Sequence, residues 1–344
     1  MAKYTRVLSI DGGGIRGIIP AQVGVSIESK LQQKSGNPDA RIADYFDLIA
    51  GTSAGGILTC LYLCPDAKNP SRPRWTAQDA VNFSIKSGID VFQSSFLKEL
   101  QSLDGLIDEK YPSDALEKFF LETFKDCKLS ELLKPCLISS YDVENRKAHF
   151  FNQIDAKKCL AADYFIRDIA RATSAAPSYF ELPKIYSFTN KSYALIDGGV
   201  FANNPALCAY AEVRTKLKIP DPRSDKGPTA KDMVILSLGT GQAKKKFPYE
   251  EVKDWGKVEW VQPLINIMMT GVAETVNYQM IQIFDAIEKP YQYLRISPDL
   301  SEEEPLPIDD ASAEKISTLV SLGKDQASKS NKDLDKFIDL LLAE

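Results

Sequence analysis

The sequence SIDGGGIRG, at Ser9–Gly17, follows an apolar run and contains the G-x-G-x-x-G spacing of an anion-binding turn. The preceding run, Arg6–Ile10, predicts a buried strand. Apolar residues then recur at every fourth position from Ile19 to Leu31, which predicts a helix, and Gly36 supplies its stop signal. The chain therefore opens with a strand, a glycine turn and a helix, a unit typical of α/β proteins.

The same pattern recurs along the chain. Tyr45–Ala50 predicts a second buried strand, which is followed by the small residues of Gly51–Gly56 and a further apolar helix. Because strands alternate with helices, we predict the α/β class, as a three-layer α/β/α sandwich with a mostly parallel central sheet. The later strands are predicted at Pro135–Asp142, Ala148–Asn152, Tyr193–Ile196 and Met233–Leu238.

Composition narrows the choice of partners and compartment. The 344 residues carry 42 basic and 47 acidic side chains, a net charge of -5, which argues against nucleic acid as a partner. No apolar stretch approaches the roughly 18 residues that cross a bilayer, and no secretory signal is visible. The six cysteines lack the spacing of metal ligands and indicate free buried thiols. We therefore predict a cytoplasmic protein without a transmembrane segment; a secreted or host-delivered form stays open.

The glycine turn fits a dinucleotide or some other anion. A dinucleotide-binding protein would have an acidic residue at the end of a second strand about 20 residues further on. Here Asp39 and Asp44 fall in the polar stretch before Tyr45–Ala50. We therefore favour another anion and expect no cofactor.

Ser53 is the candidate nucleophile. It lies in Gly51–Gly55, a G-x-S-x-G sequence between a predicted strand and a predicted helix. This context holds a reactive serine on a sharp turn above a sheet, and Gly51 and Gly55 let the backbone bend. The alternative is a serine that only caps the following helix.

A nucleophilic serine needs a base, and the single histidine is a poor candidate. His149 starts a predicted strand and precedes the best acid, so we interpret it as a surface or satisfied structural residue. Asp197 ends an apolar strand and is followed by Gly198 and Gly199. Because parallel strands end at one edge of a sheet, we expect Asp197 to face Ser53 there. The alternative is an aspartate that satisfies its own turn.

Backbone N–H groups of the first glycine turn are candidate donors to an oxyanion. Arg16 lies in the first turn after the glycines and is a candidate ligand for a phosphate or anionic head group. The alternative role of Arg16 is an ion pair with an acidic neighbour such as Asp11. The oxyanion-hole candidates are Gly12, Gly13, Gly14, Arg16 and Gly17.

Five segments occur in a characteristic order along the chain: SIDGGGIRG, GTSAGG at Gly51–Gly56, RATSAAPSYF at Arg171–Phe180, DGGVFANNP at Asp197–Pro205 and LSLGTG at Leu236–Gly241. In these segments and their order, the chain resembles the patatin-like phospholipases over residues 5–241. One segment has DGG where the plant storage forms have DGA. Beyond residue 241 the chain resembles the plant patatins more loosely.

The resemblance implies a serine–aspartate dyad that hydrolyses lipid acyl esters without a metal. It implies Ser53 as the nucleophile, Asp197 as the base and Gly12–Gly14 as the oxyanion hole; such a dyad needs no histidine. We expect a lipid acyl hydrolase that degrades phospholipids or galactolipids through an acyl-enzyme and contacts membrane surfaces transiently. A catalytically silent storage or interaction protein is the alternative.

We expect one domain over residues 1–344, with a catalytic core at about 5–241 and a helical C-terminal cap at about 242–344. Phe92–Leu97, or the helix around Ile267–Met280, is interpreted as lining an acyl tunnel, although a core helix is the favoured interpretation of the latter. Dependence on an activating partner or small-molecule effector stays open.

Overall fold

The chain is built around one mixed β-sheet. A computed structural model describes residues 3–93, 111, 113–218, 227–243, 246–301 and 306–343. The strands among them are β1 (Thr5–Ile10), β2 (Leu48–Thr52), β3 (Cys136–Asp142), β4 (Lys147–Asn152), β5 (Lys184–Tyr186), β6 (Ser192–Asp197), β7 (Met233–Leu238), β8 (Gln242–Ala243), β9 (Tyr293–Ile296) and β10 (Asp299–Leu300). The helices are α1 (Ile18–Ser35), α2 (Ile42–Tyr45), α3 (Ala54–Leu63), α4 (Ala77–Gly88), α5 (Ser113–Phe124), α6 (Gln153–Ala156), α7 (Ile166–Thr173), α8 (Gly199–Ala202), α9 (Ala206–Lys216), α10 (Tyr249–Val252), α11 (Lys257–Asp285), α12 (Ala313–Lys329) and α13 (Asn331–Leu342).

The strands pair in the order β5-β6-β3-β2-β1-β7-β9, and β4 also pairs with β3. Strands β3, β2, β1, β7 and β9 run parallel to their neighbours in this order. The edge formed by β4, β5 and β6 is antiparallel. The α/β class with a mostly parallel centre is therefore confirmed.

Helices cover both faces of the sheet because successive strand residues point to opposite sides. In β1, Val7 packs with α9 and α11, whereas Leu8 packs with α1 and α3. In β2, Leu48 and Ala50 share the side of Val7, and Ile49 shares the side of Leu8. This alternation produces the predicted three layers.

Strands β2 and β6 meet end to end beside β3. One edge of β3 pairs with β4 along Leu137–Asp142. On its other edge, β2 pairs as far as Thr52 with Ser139, and β6 pairs as far as Asp197 with Ser140. We expected the two strand ends to meet because their strands are parallel, which is wrong. They meet because antiparallel β6 approaches from beyond the end of β2.

The C-terminal region is more than a helical cap. Most of it is helical, as expected, and its strand β9 additionally pairs with β7 in the main sheet. Helices α12 and α13 pack on α1, where the Lys30 ammonium lies 2.7 Å from the Asp335 carboxylate. Residues beyond 241 therefore complete both the sheet and one helical layer.

A buried ion pair ties β9 to the end of β1. The Arg295 guanidinium donates to Asp11 Oδ1 and to Ser237 Oγ, each at 2.7 Å, and to Asp11 Oδ2. Burial raises the pKa of the Asp11 carboxyl, although the guanidinium favours its ionised form. The charge on Asp11 is compensated by a residue 284 positions away.

We expect Arg295→Ala to lower the free energy of unfolding by about 3–5 kcal/mol, because it leaves a buried carboxylate without its partner. Lys253→Ala is the control, since Lys253 forms an exposed pair with Glu250, and its change should stay below about 1 kcal/mol. Urea titration measures both values. Equal losses in the two variants would contradict the structural role of the Asp11 pair.

Candidate active site

Ser53 occupies a strained turn between β2 and α3. Its φ of 54° and ψ of -123° are unusual for a residue with a side chain. The Ser53 N–H donates to Thr173 Oγ1 at 2.9 Å, which holds the turn in place. The Ser53 side chain makes no capping bond to α3, so the interpretation of Ser53 as a helix cap is wrong. Its hydroxyl is free to point elsewhere.

Asp197 lies beside that hydroxyl, close enough for the Ser53 side chain to favour the ionised carboxylate and so lower its pKa. The Gly199 N–H donates to Asp197 Oδ1 at 2.7 Å. Ser53 is 5% exposed and Asp197 is 3% exposed. Burial raises the pKa of Asp197 to about 6, while the Ser53 side chain and the Gly199 N–H favour the carboxylate and oppose this rise. Both residues are therefore buried, and the pKa of Asp197 lies well above that of a solvated aspartate.

The first glycine turn lies against this pair. A Cβ added to Gly12 would lie 3.2 Å from Ser53 Cβ and 2.5 Å from Asn203 Oδ1, so only glycine allows this approach. The Gly12 N–H donates to the Asn203 carbonyl at 3.0 Å. Within the described ranges, the N–H groups of Gly13 and Gly14 have no acceptor. The donors that remain for an oxyanion are thus those of Gly13 and Gly14.

The start of α3, directly after Ser53, also lies close to the first glycine turn. A Cβ on Gly55 would lie 2.2 Å from the Ile10 carbonyl oxygen, a contact that the backbone has no room to relieve. The other glycines of the segments also face close neighbours at their Cβ positions, namely Ala54 Cβ at 2.8 Å from Gly17, the Gly55 oxygen at 2.2 Å from Gly51, Ser139 Oγ at 2.2 Å from Gly198 and Asp197 Oδ1 at 3.2 Å from Gly199.

Polar residues that we did not single out hold the three turns together. Thr173 Oγ1 also donates to the Ser139 carbonyl at 2.7 Å and thereby links Ser53 to β3. Thr240 Oγ1 donates to the Gly12 carbonyl at 2.7 Å. Both threonines and Asn203 lie in segments that carry the family resemblance. That resemblance was the sequence signal that could have identified them.

His149 lies in β4, as predicted, and is not among the residues that line the pocket of Ser53 and Asp197. Its ring packs against Tyr193 and Phe151, with centroid distances of 4.6 and 4.7 Å. Burial lowers its pKa to about 4, so the ring is neutral at pH 7. Among the described residues, His149 Nε2 has no hydrogen-bond partner, so the histidine is structural but not fully satisfied.

Arg16 does not pair with Asp11, because Asp11 is bound by Arg295; that alternative is wrong. Arg16 Nε is buried and has no partner in the described part of the chain. Burial lowers the pKa of the guanidinium to about 10, whereas Tyr179 raises it. Arg16 therefore remains charged, and its role toward an anionic head group stays a prediction.

Ser53 and Asp197 open into an apolar pocket. Phe92 lies in its wall, as we expected, whereas Phe96 and Leu97 lie outside the described residues. Met269 also lies in the wall, although a core helix was our favoured interpretation of its segment. Met280 on the same helix as Met269 is buried in the core. The other apolar lining residues include Ile57, Phe83, Val91, Leu116, Phe120 and Phe180.

The described residues contain no group of three or more His, Cys, Asp or Glu side chains arranged for a metal ion. All six cysteines are free thiols. Cys60, Cys64 and Cys136 are buried, but Cys159 is exposed, so our expectation that all are buried is wrong. Among the described helices, none combines the length and the apolar character that crossing a bilayer requires.

The model of the patatin-like phospholipase family matches residues 8–210, which include Ser53 and Asp197. The chain belongs to this family. Patatin-T5 of Solanum tuberosum is 34% identical over 342 residues, which are 96% of this chain and 85% of that protein. Patatin-like protein 2 of Arabidopsis thaliana is 34% identical over 346 residues, covering 94% and 83% of the two chains.

The matches also include a probable inactive patatin and a solved structure with low sequence identity. A Solanum tuberosum relative described as a probable inactive patatin is 34% identical over 96% of this chain and 88% of its own. Human GIVD cytosolic phospholipase A2 aligns with a TM-score of 0.47 at 13% identity, over 99% of this chain and 60% of that one. Membership in the patatin family supports lipid hydrolase activity.

We expect a fluorophosphonate probe to label Ser53 at a rate that rises with pH through an apparent pKa of about 6, because only the carboxylate form of Asp197 accepts the hydroxyl proton. In Asp197→Asn the rate should fall by about 1,000-fold and lose this pH dependence. Mass spectrometry of the labelled peptide measures the rate. A titration near pH 4 that His149→Ala abolishes would instead implicate the histidine.

Proposed function

We propose that the protein is a serine esterase that hydrolyses the fatty-acyl esters of phospholipids or galactolipids. The observation that carries this proposal is that Ser53 and Asp197 lie beside each other in the lining of one apolar pocket. A long acyl chain fits such a pocket, and the hydroxyl at its polar end meets the ester carbonyl. The family match supports the same substrate class.

In the first half-reaction, Ser53 Oγ attacks the ester carbonyl carbon while the Asp197 carboxylate takes the hydroxyl proton. Collapse of the tetrahedral intermediate breaks the bond to the glycerol oxygen, which receives the proton from Asp197. The products are a lysolipid alcohol and an acyl-enzyme. In the second half-reaction, Asp197 accepts a proton from water as the water attacks, and fatty acid leaves as Ser53 recovers its proton.

Asp197 suits both directions of proton transfer. With a pKa of about 6 it is about 90% ionised at pH 7, yet its protonated form remains a competent acid. A solvated aspartate would be a much weaker base. Burial thus brings the pKa of Asp197 close to that of the histidine that serves as the base in serine triads.

The oxyanion would be held by backbone donors. The N–H groups of Gly13 and Gly14 have no acceptor among the described residues, and the turn that carries them lies against Ser53. The ten-residue helix α3 begins directly after Ser53, so its dipole also favours negative charge there. The positively charged Arg16 follows the turn and is our candidate for contact with an anionic head group.

We expect Ser53→Ala and Asp197→Asn each to lower kcat by about 1,000-fold or more, because they remove the nucleophile and the base. His149→Ala is the control and should stay within about threefold of the unsubstituted protein. The assay incubates mixed phospholipids and galactolipids and identifies released fatty acids and lysolipids by mass spectrometry. Activity that survives the first two substitutions would refute the dyad.

We expect EDTA to leave the rate unchanged, because every proposed step uses Ser53, Asp197 or a backbone N–H group. The rate of fatty-acid release is compared before and after chelation, with circular dichroism as a check on folding. A loss of activity that added Ca²⁺ restores would point to a calcium-assisted lipase instead.

A further inference from the structure

Helix α11 exposes an unusual apolar face in its first half. Of its 29 residues, the run 260–273 contains no charged side chain. Trp260, Leu264, Ile267 and Met268 are 38%, 47%, 42% and 39% exposed. Their spacing of four, three and one residues places them on one side of the helix. We call these four residues the α11 face.

The helix is anchored elsewhere. Its second half buries Val276, Met280 and Phe284 against the sheet. Our preferred interpretation of this segment as a core helix is therefore right for Met280 and wrong for Ile267 and Met268. Exposed apolar side chains that cluster on one face mark an interaction surface.

Aromatic rings and a groove border the α11 face. The rings of Trp255 and Trp260 are 5.2 Å apart, and tryptophan favours the boundary between water and lipid. On the other side, Ile267 and Met268 line an apolar groove with Phe201 and Leu207. The apolar surface is therefore wider than the helix itself.

The α11 face also leads to the candidate active site. Met269, next in the chain to Met268, lines the pocket that holds Ser53 and Asp197. Its Cε would lie 3.4 Å from a Cβ on Gly199, beside the aspartate. One turn of α11 thus carries both the exposed Met268 and Met269, which lines the pocket.

We propose that the α11 face docks on the surface of an electrically neutral lipid bilayer, with the helix lying in the plane of the interface. The proposal rests on the proposed lipid hydrolase function, since the bilayer would present acyl esters where the α11 face meets the pocket. A neutral surface fits because Glu259 and Glu274 flank the uncharged run and the whole chain has a net charge of -5.

The binding experiment uses Ser53→Ala protein, which cannot degrade the lipid, and phosphatidylcholine vesicles in a sedimentation assay. We expect binding that changes little between about 50 and 500 mM NaCl, because no charge pairing is involved. Adding Leu264→Gln and Ile267→Gln to this protein should lower its partition coefficient between vesicles and water by about tenfold or more. Urea titration verifies that the variant is folded.

A matched control replaces Tyr278 and Ile281, which are exposed on the second half of the same helix, with glutamine. This variant should bind vesicles like its parent. The proposal would be overturned if the Leu264→Gln/Ile267→Gln variant bound vesicles as strongly as its Ser53→Ala parent. It would also be overturned by a dimer in analytical ultracentrifugation that the same variant dissociates without any vesicle binding, since a second copy would then cover the face.

An activity comparison separates this proposal from the proposed function. With Ser53 intact, Leu264→Gln/Ile267→Gln should hydrolyse soluble p-nitrophenyl butyrate at the parent rate and vesicle lipid about tenfold more slowly. Ester hydrolysis without vesicle binding would refute docking alone. Vesicle binding without hydrolysis of either ester would refute the hydrolase and leave the docking surface.

Discussion

Two strands that run toward each other along one edge of β3 determine where the chemistry of this protein takes place. Strand β2 delivers Ser53 from one direction, and β6 delivers Asp197 from the other, at neighbouring positions of β3. Placing the two side chains beside each other needs this register, because a shift of one residue would turn one of them to the opposite face of the sheet.

The remaining contacts near the site maintain that meeting point. Gly12 and Gly55 remove the side chains that would push the turns apart, and Thr173 and Thr240 bind the backbone of those turns directly. Such contacts fix positions to within fractions of an ångström, which proton transfer between buried groups requires. The positive φ of Ser53 is sustained by this surrounding structure.

Local patterns in the sequence predicted the strands and glycine turns around Ser53 and Asp197, because short apolar runs that end at glycine are strong local signals. They did not predict the direction of β6, since strand direction depends on the path of the chain outside the strand. The ion-pair partner of Asp11 also escaped prediction. Arg295 lies 284 positions away in the sequence, whereas Arg16 was the candidate close to Asp11 in the sequence. The exposure of Ile267 and Met268 also escaped prediction, because an uncharged helix looks alike in a core and on a surface.

The segment that the family model matches is shorter than the segment that forms the main sheet. The segment that the family model matches ends at residue 210, before β7 and β9. Strand β1 pairs with β7 over its whole length, from Thr5 to Ile10. A polypeptide cut at residue 210 would contain every candidate catalytic group, yet it would expose the backbone of β1 as an open edge. The segment that the family model matches thus holds the candidate catalytic residues, whereas the residues beyond it supply strands that complete the sheet around them.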